Sequence, residues 1–371
     1  MSERIVIKEI CEVYDGPHAT PKKTVDGPVY LGIDAITDDG KINAKEFAHL
    51  SEEDYIKWTK RVTPQYGDIV FSYEATLGRY ALIPKGFYGC LGRRLAIIRN
   101  VSKDIDTLWL YYYFLSPEWK QFIQSKIIKG STVNRISVED FPTYTVPNIS
   151  IKVQRKIANI LSKIDEKIAL NNNINDNLEQ QIKTIFTFQF LQNANTEWKQ
   201  QSLAELSEMY QPKTISGKDL IADGNYFVYG ANGIIGKYNQ YNHSESEIAV
   251  ACRGASCGSI QMTLPFSWIT GNAMVVKPHS DFPYREYLYY YLLAKNPNYL
   301  CSGSAQPQLT RENLTLYSLK VPSTTELNAF ESYAEKVRKI IIKNQQENIE
   351  LSTLRDWLLP MLMNGQATIS N

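Results

Sequence analysis

Two stretches of the chain repeat one pattern of apolar residues every seven positions, and this repeat limits what the chain can fold into. The first stretch covers residues 151–191, and its pattern comprises Ile157, Ile164, Asn171, Leu178 and Ile185, each followed three residues later by Ile160, Lys167, Ile174, Gln181 and Phe188. Adding 173 to these numbers gives the second pattern, Phe330, Val337, Asn344, Leu351 and Leu358, with Tyr333, Ile340, Glu347, Leu354 and Met361. Such spacing predicts two long helices, each with a heptad seam.

Each seam continues for more than four heptads without Gly or Pro before Pro360. We therefore expect helices of roughly 40 residues and about 60 Å. The matched offset favours an antiparallel pair of the two helices over the alternative that each packs separately on its own domain. In that pair Asn171 and Asn344 would lie close together and fix the register. The asparagine-rich residues 171–177 should be the weakest part of the first helix, because asparagine has low helix propensity.

Composition limits the partners and compartments of the chain. Its 371 residues predict two or three domains. Lys plus Arg number 40 and Asp plus Glu number 39, so a nucleic-acid surface would have to be a local patch. The five Cys and four His form no C-x-x-C or H-E-x-x-H pattern, which predicts neither a metal site nor a disulfide framework and suits a reducing cytoplasm. The sequence shows no apolar run that predicts a signal peptide or a membrane span.

The segments between the helices predict two copies of one mixed α/β domain. In the first, we expect strands at 69–72, 80–83 and 95–99 and a buried helix at 106–115. Landmarks recur in the second: a strand at 248–252 follows the pattern of 69–73, three tyrosines at 289–291 match those at 111–113, and Gly303-Ser304 matches Gly130-Ser131. The predicted order is domain 1–150, helix 151–192, domain 193–322, and a second helix with a C-terminal tail at 323–371.

Two short segments approach known catalytic motifs. Residues 230–237, GANGIIGK, resemble a phosphate-binding loop, but Ala231 and Tyr238 replace the glycine and the Ser or Thr that it needs, so we interpret the segment as a turn between strands. Residues 296–299, NPNY, resemble the Asn-Pro-Pro-aromatic motif of amino-methyltransferases, but no glycine-rich cofactor loop accompanies them, and we interpret them as a helix stop. The sequence therefore predicts no catalytic centre.

Polar and basic side chains occur at equivalent places in both domains. Arg, Asn and Gln can read guanine and adenine edges, while Lys, Ser, Thr and glycine amides suit phosphate. Taken singly, each residue is better explained as solvated surface, and Arg93 and Arg94 also as ion-pair partners. As a duplicated set they predict two DNA-binding faces, comprising Arg79, Arg93, Arg94, Lys129, Gly130, Ser131, Thr132, Asn134 and Arg135 in the first domain and Lys237, Arg253, Asn272, Gly303, Ser304, Gln306, Gln308 and Arg311 in the second.

Local motifs and domain order together resemble the specificity subunit of a type I restriction-modification enzyme. The motifs of the first recognition domain are GDIVFS at 67–72 and LGR at 77–79, and those of the second are YGANG at 229–233 and ACRG at 251–254. The motifs of the helices are QRKIA at 154–158, LE at 178–179 and LRDWLLPMLMNG at 354–365. The last is the most specific, and the resemblance covers essentially the whole chain.

This resemblance implies a non-catalytic cytoplasmic subunit with no cofactor of its own. Each target-recognition domain would read one half of a split double-stranded DNA sequence. The helix pair would separate the domains and dock two methyltransferase subunits, which bind S-adenosylmethionine and methylate adenine, and two restriction subunits would complete the nuclease. A separator of about 60 Å spans nearly two turns of B-DNA. The alternatives are a stand-alone methyltransferase or nuclease, and a coiled-coil scaffold or degenerate specificity protein without DNA specificity.

Overall fold

The structure, a computed structural model, describes residues 3–130, 133–303 and 306–366. The chain divides into two compact units. One unit comprises Met1–Ala169 and Asn348–Asn371, and the other comprises Leu170–Glu347. Each unit therefore contains one α/β domain together with a portion of each long helix.

The domain of the first unit is built from short strands in two small sheets and a terminal pair. Strands β1–β9 lie at Arg4–Val6, Cys11–Asp15, Thr24–Leu31, Ala48–His49, Ile69–Ser72, Tyr80–Leu82, Gly89–Leu91, Leu95–Asn100 and Thr145–Pro147. An antiparallel sheet has the order β2-β8-β5-β6, and a second sheet has the order β4-β3-β7 with β3 parallel to β7. Strand β1 pairs with β9, which joins the two ends of the domain.

Helices α1–α3 of this domain lie at Glu52–Trp58, Thr107–Leu115 and Pro117–Ser125. Helix α2 is apolar on every side and buries Trp109, Tyr113 and Phe114, as expected for a helix inside a core. Its start is fixed by the Asp106 carboxylate, which accepts a hydrogen bond from the Trp109 N–H. The predicted strands at 69–72, 80–83 and 95–99 and the predicted buried helix are confirmed, with end differences of one residue.

The second unit repeats this topology strand for strand. Strands β10–β18 lie at Lys199–Ser202, Ser207–Tyr210, Tyr226–Gly230, Gly233–Tyr238, Ile248–Ala251, Ile260–Met262, Trp268–Ile269, Ala273–Pro278 and Ser318–Val321, and helices α5–α7 lie at Leu203–Leu206, Arg285–Ala294 and Arg311–Thr315. The sheet orders are β11-β17-β14-β15 and β13-β12-β16, with β10 paired to β18. Each strand number is nine higher than that of its counterpart in the first unit. The predicted mixed α/β duplication is therefore confirmed.

The two repeat segments form the long helices α4 (Ile151–Phe186), extended by a π-helical turn at Thr187–Gln192, and α8 (Thr324–Met363). In the second unit Glu179 contacts Arg338, and Asn175 contacts Asn344. In the first unit Asp165 contacts Arg355. Residue numbers fall along α8 as they rise along α4, so the helices are antiparallel within each unit, as predicted.

The structure corrects one half of the predicted seam. Of the residues at the seven-residue repeat, Ile157, Ile164, Asn171, Phe330 and Val337 are buried and Leu178, Ile185, Asn344, Leu351 and Leu358 are half-buried. The prediction that the seam also uses the residues three positions after each of these is wrong, because Ile174, Phe188, Ile340 and Leu354 are exposed. The seam instead uses residues four positions later, among them Leu161, Ile168, Asn175, Ile182, Ala334 and Ile341. Positions i+3 and i+4 both neighbour i on a helix, so spacing alone could not distinguish them.

Polar residues in the seam also hydrogen-bond across the helix pair. The Asn171 side-chain amide donates to the Glu347 carboxylate at 2.8 Å, and the Asn344 amide donates to the Asn175 oxygen at 2.8 Å. These partners lie three or four residues from the Asn171–Asn344 pairing that the sequence predicted.

Among the helices of residues 3–130, 133–303 and 306–366, none combines the length and the hydrophobicity that a membrane span requires.

Candidate nucleic-acid interface

Three segments of the first domain meet beyond the end of strand β5. The backbone N–H of Tyr73 donates to the carbonyl of Arg94 at 3.1 Å, and the N–H of Ile136 donates to the carbonyl of Tyr73 at 2.8 Å. Ile128 and Arg135 exchange two backbone hydrogen bonds, and Arg135 also bridges Glu74. These bonds bring together three charged residues, Glu74, Arg94 and Arg135, which we call the first face.

The second domain has the same backbone bonds beyond the end of strand β14. The N–H of Cys252 donates to the carbonyl of Asn272 at 2.9 Å, and the N–H of Leu309 donates to the carbonyl of Cys252 at 2.9 Å. The hairpin is again closed by two bonds, here between Ser302 and Gln308, and Gln308 bridges Arg253. The second face therefore comprises Arg253, Asn272 and Gln308, which are all exposed. The two domains hold different polar side chains on the same backbone frame.

Local backbone geometry explains two of the predicted glycines. A Cβ on Gly130 would lie 2.3 Å from the Val133 carbonyl oxygen, so only glycine fits this hairpin. Gly303 has a φ of +97°, which favours glycine at the corresponding turn. Arg94 and Ala75 hold positive φ values of +72° and +65° without being glycine. Such strain is uncommon, and its presence beside the first face is typical of functional sites.

The other predicted residues of the first domain differ in their surroundings. Arg79 is held internally, because its guanidinium donates to both oxygens of Asp38 at 2.7 and 3.1 Å and to the Ile36 carbonyl at 3.0 Å. The structure does not bring Arg79 into the first face, and an ion-pair role explains this residue. Arg93, Lys129, Gly130 and Asn134 are exposed. Ser131 and Thr132 lie outside the described residues.

In the second domain, Lys237 belongs to a different sheet from strand β14, beyond whose end the second face lies. Lys237 lies in strand β13, and its ammonium group sits 5.6 Å from the centre of the Phe227 ring. Gly303 and Gln306 are exposed in the hairpin that carries Gln308, and Arg311 is exposed at the start of helix α7. Ser304 lies outside the described residues.

A disulfide bond braces the second face, and the sequence-based prediction of no disulfide is wrong here. Cys257 and Cys301 are bonded, with their Cα atoms 6.5 Å apart. They lie 44 residues apart in the chain, so no short cysteine motif in the sequence predicts this bond. The bond links the loop of Arg253 to the hairpin of Gln308, where the N–H of Gly254 also donates to the Pro307 carbonyl at 3.1 Å. Cys11, Cys90 and Cys252 are buried free thiols.

The structure confirms the interpretation of both catalytic near-motifs. Residues 230–237 form the tight turn between strands β12 and β13 and most of β13. Helix α6 ends at Ala294, and Asn296 caps the short 3-10 turn that follows. The Asn296 side chain accepts a hydrogen bond from the Asn298 N–H at 2.9 Å. Across the described residues, no group of three or more His, Cys, Asp or Glu side chains is placed to hold a metal ion.

Comparison with known proteins assigns a family to this arrangement of duplicated domains and paired helices. The family model of the type I restriction modification DNA specificity domain matches residues 2–180 and 195–352. Since these two matches cover most of the chain, the chain belongs to the family of type I restriction-modification specificity subunits.

Similar proteins include specificity subunits from a bacterium and an archaeon. The chain is 26% identical over 277 residues to the type I restriction enzyme EcoprrI specificity subunit of Escherichia coli, covering 69% of this chain and 67% of that protein. It is 21% identical over 359 residues to the MjaIX specificity subunit of Methanocaldococcus jannaschii, covering 86% and 82%. The crystal structure of an S subunit from M. genitalium superposes with a TM-score of 0.61 at 16% identity, covering 99% and 96% of the chains, which shows the shared fold.

Proposed function

We propose that this chain is the non-catalytic subunit that selects the DNA target of a type I restriction-modification complex, each domain reading one half of a split double-stranded sequence. The observation that carries this proposal is the pair of matched faces. Equivalent backbone bonds hold Glu74, Arg94 and Arg135 in one domain and Arg253, Asn272 and Gln308 in the other. Because the same backbone hydrogen bonds present different polar side chains in the two domains, the two domains are suited to bind two different half-site sequences.

The chemistry of the exposed side chains determines which base each could read. Arg135 and Arg253 can donate two hydrogen bonds to guanine, and Asn272 and Gln308 can pair with adenine. The hairpin amides at Gly130 and Gly303, together with Lys129, suit phosphate oxygens, which fix the position on the duplex without reading sequence. Arg79 stays a weaker candidate because Asp38 occupies its guanidinium.

The proposed partners follow from family membership. Helices α4 and α8 would dock two methyltransferase subunits, which bind S-adenosylmethionine and methylate adenine, and two restriction subunits would join them in the cytoplasm. The chain itself would need no cofactor. With 36 and 40 residues, the helices are about 54 and 60 Å long, enough to set a gap between half-sites.

Mapping methylated bases tests the proposal directly. The chain is expressed with its methyltransferase subunit in a host without other adenine methylation, and modified adenines are mapped across the genome. We expect one split motif with a fixed gap. R253A should relax one position in one half-site and R135A one position in the other, each at a cost of about 1–3 kcal/mol.

K57A serves as the control, since Lys57 is an exposed cation on helix α1 and not part of either face. It should leave the motif unchanged. An assembled complex with an active methyltransferase that modifies no defined motif would contradict the proposed function and favour a degenerate subunit or a scaffold. An unchanged motif and rate in R253A would remove Arg253 alone.

A further inference from the structure

Glu74 occupies in the first domain the position that Arg253 occupies in the second. Each is the second residue after the end of the central strand, which is Ser72 in β5 and Ala251 in β14. Each follows a residue whose N–H and carbonyl make the same two backbone hydrogen bonds, and each bridges the returning strand of its hairpin, at Arg135 or Gln308. If Arg253 reads DNA, Glu74 is placed to read it in the same way.

The surroundings of Glu74 make an acidic residue tolerable on such a face. A carboxylate near DNA is repelled by phosphates unless nearby cations offset its charge. The Glu74 Oε1 atom lies 3.5 Å from the Arg94 Nε atom, and both side chains are 29% exposed. Arg135 is bridged to Glu74 through the backbone, and Arg93 is exposed beside Arg94. The cations of Arg93, Arg94 and Arg135 therefore offset the charge of the half-buried Glu74 carboxylate, and Asp15, the nearby carboxylate that faces Tyr73, has its own partners in His18 and Arg61.

The hydrogen-bonding chemistry of a carboxylate restricts what it can recognise. An ionised glutamate only accepts hydrogen bonds. In the major groove, cytosine presents its N4 amine as a donor, whereas adenine presents its N6 amine beside the N7 acceptor, which a carboxylate cannot satisfy. We propose that Glu74 is a specificity-determining residue that accepts a hydrogen bond from the N4 amine of a cytosine in the half-site read by the first domain. This inference rests on the proposed function.

A purely structural role for Glu74 predicts a different outcome. If the carboxylate only holds Arg94 in its positive-φ conformation, its loss would slow methylation equally at every site and leave the motif intact. If Glu74 reads a base, its replacement changes the preference at one base pair. The sequence of the methylated motif therefore separates the two roles.

The test compares wild type with E74Q and E74D, each co-expressed with the methyltransferase subunit and mapped for methylated adenines. E74Q keeps the size and adds an amide donor, which matches adenine, so we expect cytosine preference to fall about tenfold at one base pair of one half-site. E74D keeps the charge but shortens the reach, so it should weaken discrimination at that same base pair. The other half-site should not change in either variant.

E9Q is the matched control. Glu9 is exposed and lies just before strand β2. The first residue of β2 pairs with Asn100, and its last residue pairs with Ala96, which is beside the first face. Glu9 therefore lies at the end of β2 that is remote from the first face. E9Q should keep the wild-type motif and rate. Complex assembly is measured by size-exclusion chromatography, and if E74Q fails to assemble, E74D decides the question.

The outcomes separate this inference from the proposed function. No split motif for the wild-type complex would contradict the proposed function itself. A split motif that stays unchanged in E74Q and E74D, at an equal or uniformly lower rate, would overturn the reading role of Glu74 while leaving the proposed function in place.

Discussion

Glu331 illustrates how one side chain joins helix α8 to the second domain. Its carboxylate accepts hydrogen bonds from the N–H groups of Glu286 and Tyr287, at 2.9 and 3.1 Å, and these groups belong to the first turn of helix α6. A carboxylate is favourable at a helix N-terminus, where backbone donors are otherwise unpaired. Burial nevertheless dominates and raises the pKa of Glu331 to about 7.

This pKa gives a stability prediction. The folded-state pKa lies above the ordinary value of 4.5, so the folded protein binds the proton more tightly than the unfolded chain. The contribution is complete below about pH 4.5 and is lost as pH rises through about 7. Between pH 5 and 8, the free energy of unfolding of the wild type should fall by up to about 3 kcal/mol relative to E331Q.

Urea denaturation of both proteins at pH 5 and 8 measures this difference. E312Q is the control, because Glu312 is exposed at the start of helix α7 and should retain the wild-type pH dependence. If E331Q shows the same pH dependence as the wild type, Glu331 does not carry the effect.

At individual residues, sequence reasoning succeeded where local chemistry decides and failed where distant chain segments decide. The side-chain chemistry of Arg253 and Gln308 predicts both as DNA-binding residues, and the fold brings them together. Glu74 is not among the predicted residues, because an acidic side chain is not a typical DNA ligand, although the offset between strands β5 and β14 aligns it with Arg253. The sequence does not show that Arg79 forms an ion pair, because its partner Asp38 is 41 residues away.

The two long helices are copies, yet their ion pairs have a fixed direction. Helix α4 supplies the carboxylate in both units, as Asp165 toward Arg355 at 2.8 Å and as Glu179 toward Arg338 at 2.5 Å. By the repeat offset of 173, Asp165 corresponds to Arg338, so pairing of two α4 helices would bring Asp165 opposite Glu179. Like charges at such a seam disfavour self-pairing and favour α4 with α8.

A double-mutant cycle measures the ion pair in the first unit. The side chains of Asp165 and Arg355 are 22% and 14% exposed, and Asp165 also accepts a hydrogen bond from the Tyr112 hydroxyl at 2.6 Å. Thermal or urea unfolding of D165N, R355M and the double variant should give a coupling energy of about 1–3 kcal/mol, because each single change leaves a poorly solvated partner.

The matched control is the ion pair between Lys163 and Glu166 on the same helix. Its side chains are 65% and 60% exposed, so water screens both charges. The cycle of K163M and E166Q should give about 0.3 kcal/mol. Equal coupling energies in the two cycles would show that burial adds nothing to the Asp165–Arg355 pair.

Helix existence, direction and length followed from the heptads, but the second half of the seam did not. Ile160 and Leu161 are both apolar, and the sequence does not state which one faces the partner helix. The structure buries Leu161 and leaves Ile160 partly exposed. Packing against α8 makes this choice, and a period of 3.6 residues accommodates either.

For the whole molecule, the duplication was visible in the sequence because its landmarks keep their order while their offsets drift. Net charge was uninformative, since a total of +1 does not reveal where cations gather. The matched faces required the fold, because each face is assembled from three segments separated by about 20 to 40 residues. The sequence therefore predicts the number and order of the domains, but it does not predict which residues form each face.

The proposed role of the helices as a spacer leads to a prediction about the DNA gap. Removing residues 168–174 from α4 and 345–351 from α8 deletes one heptad from each helix and keeps the Asn175–Asn344 bond. Seven helical residues span about 10 Å, or about three base pairs. The methylated motif should keep its half-site bases and lose about three base pairs of its gap, as read by mapping methylated adenines.

Deletion of residues 168–174 alone should disrupt the helix register and prevent assembly. A complex with both deletions that assembles and methylates with the original gap would show that the helices do not set the spacing.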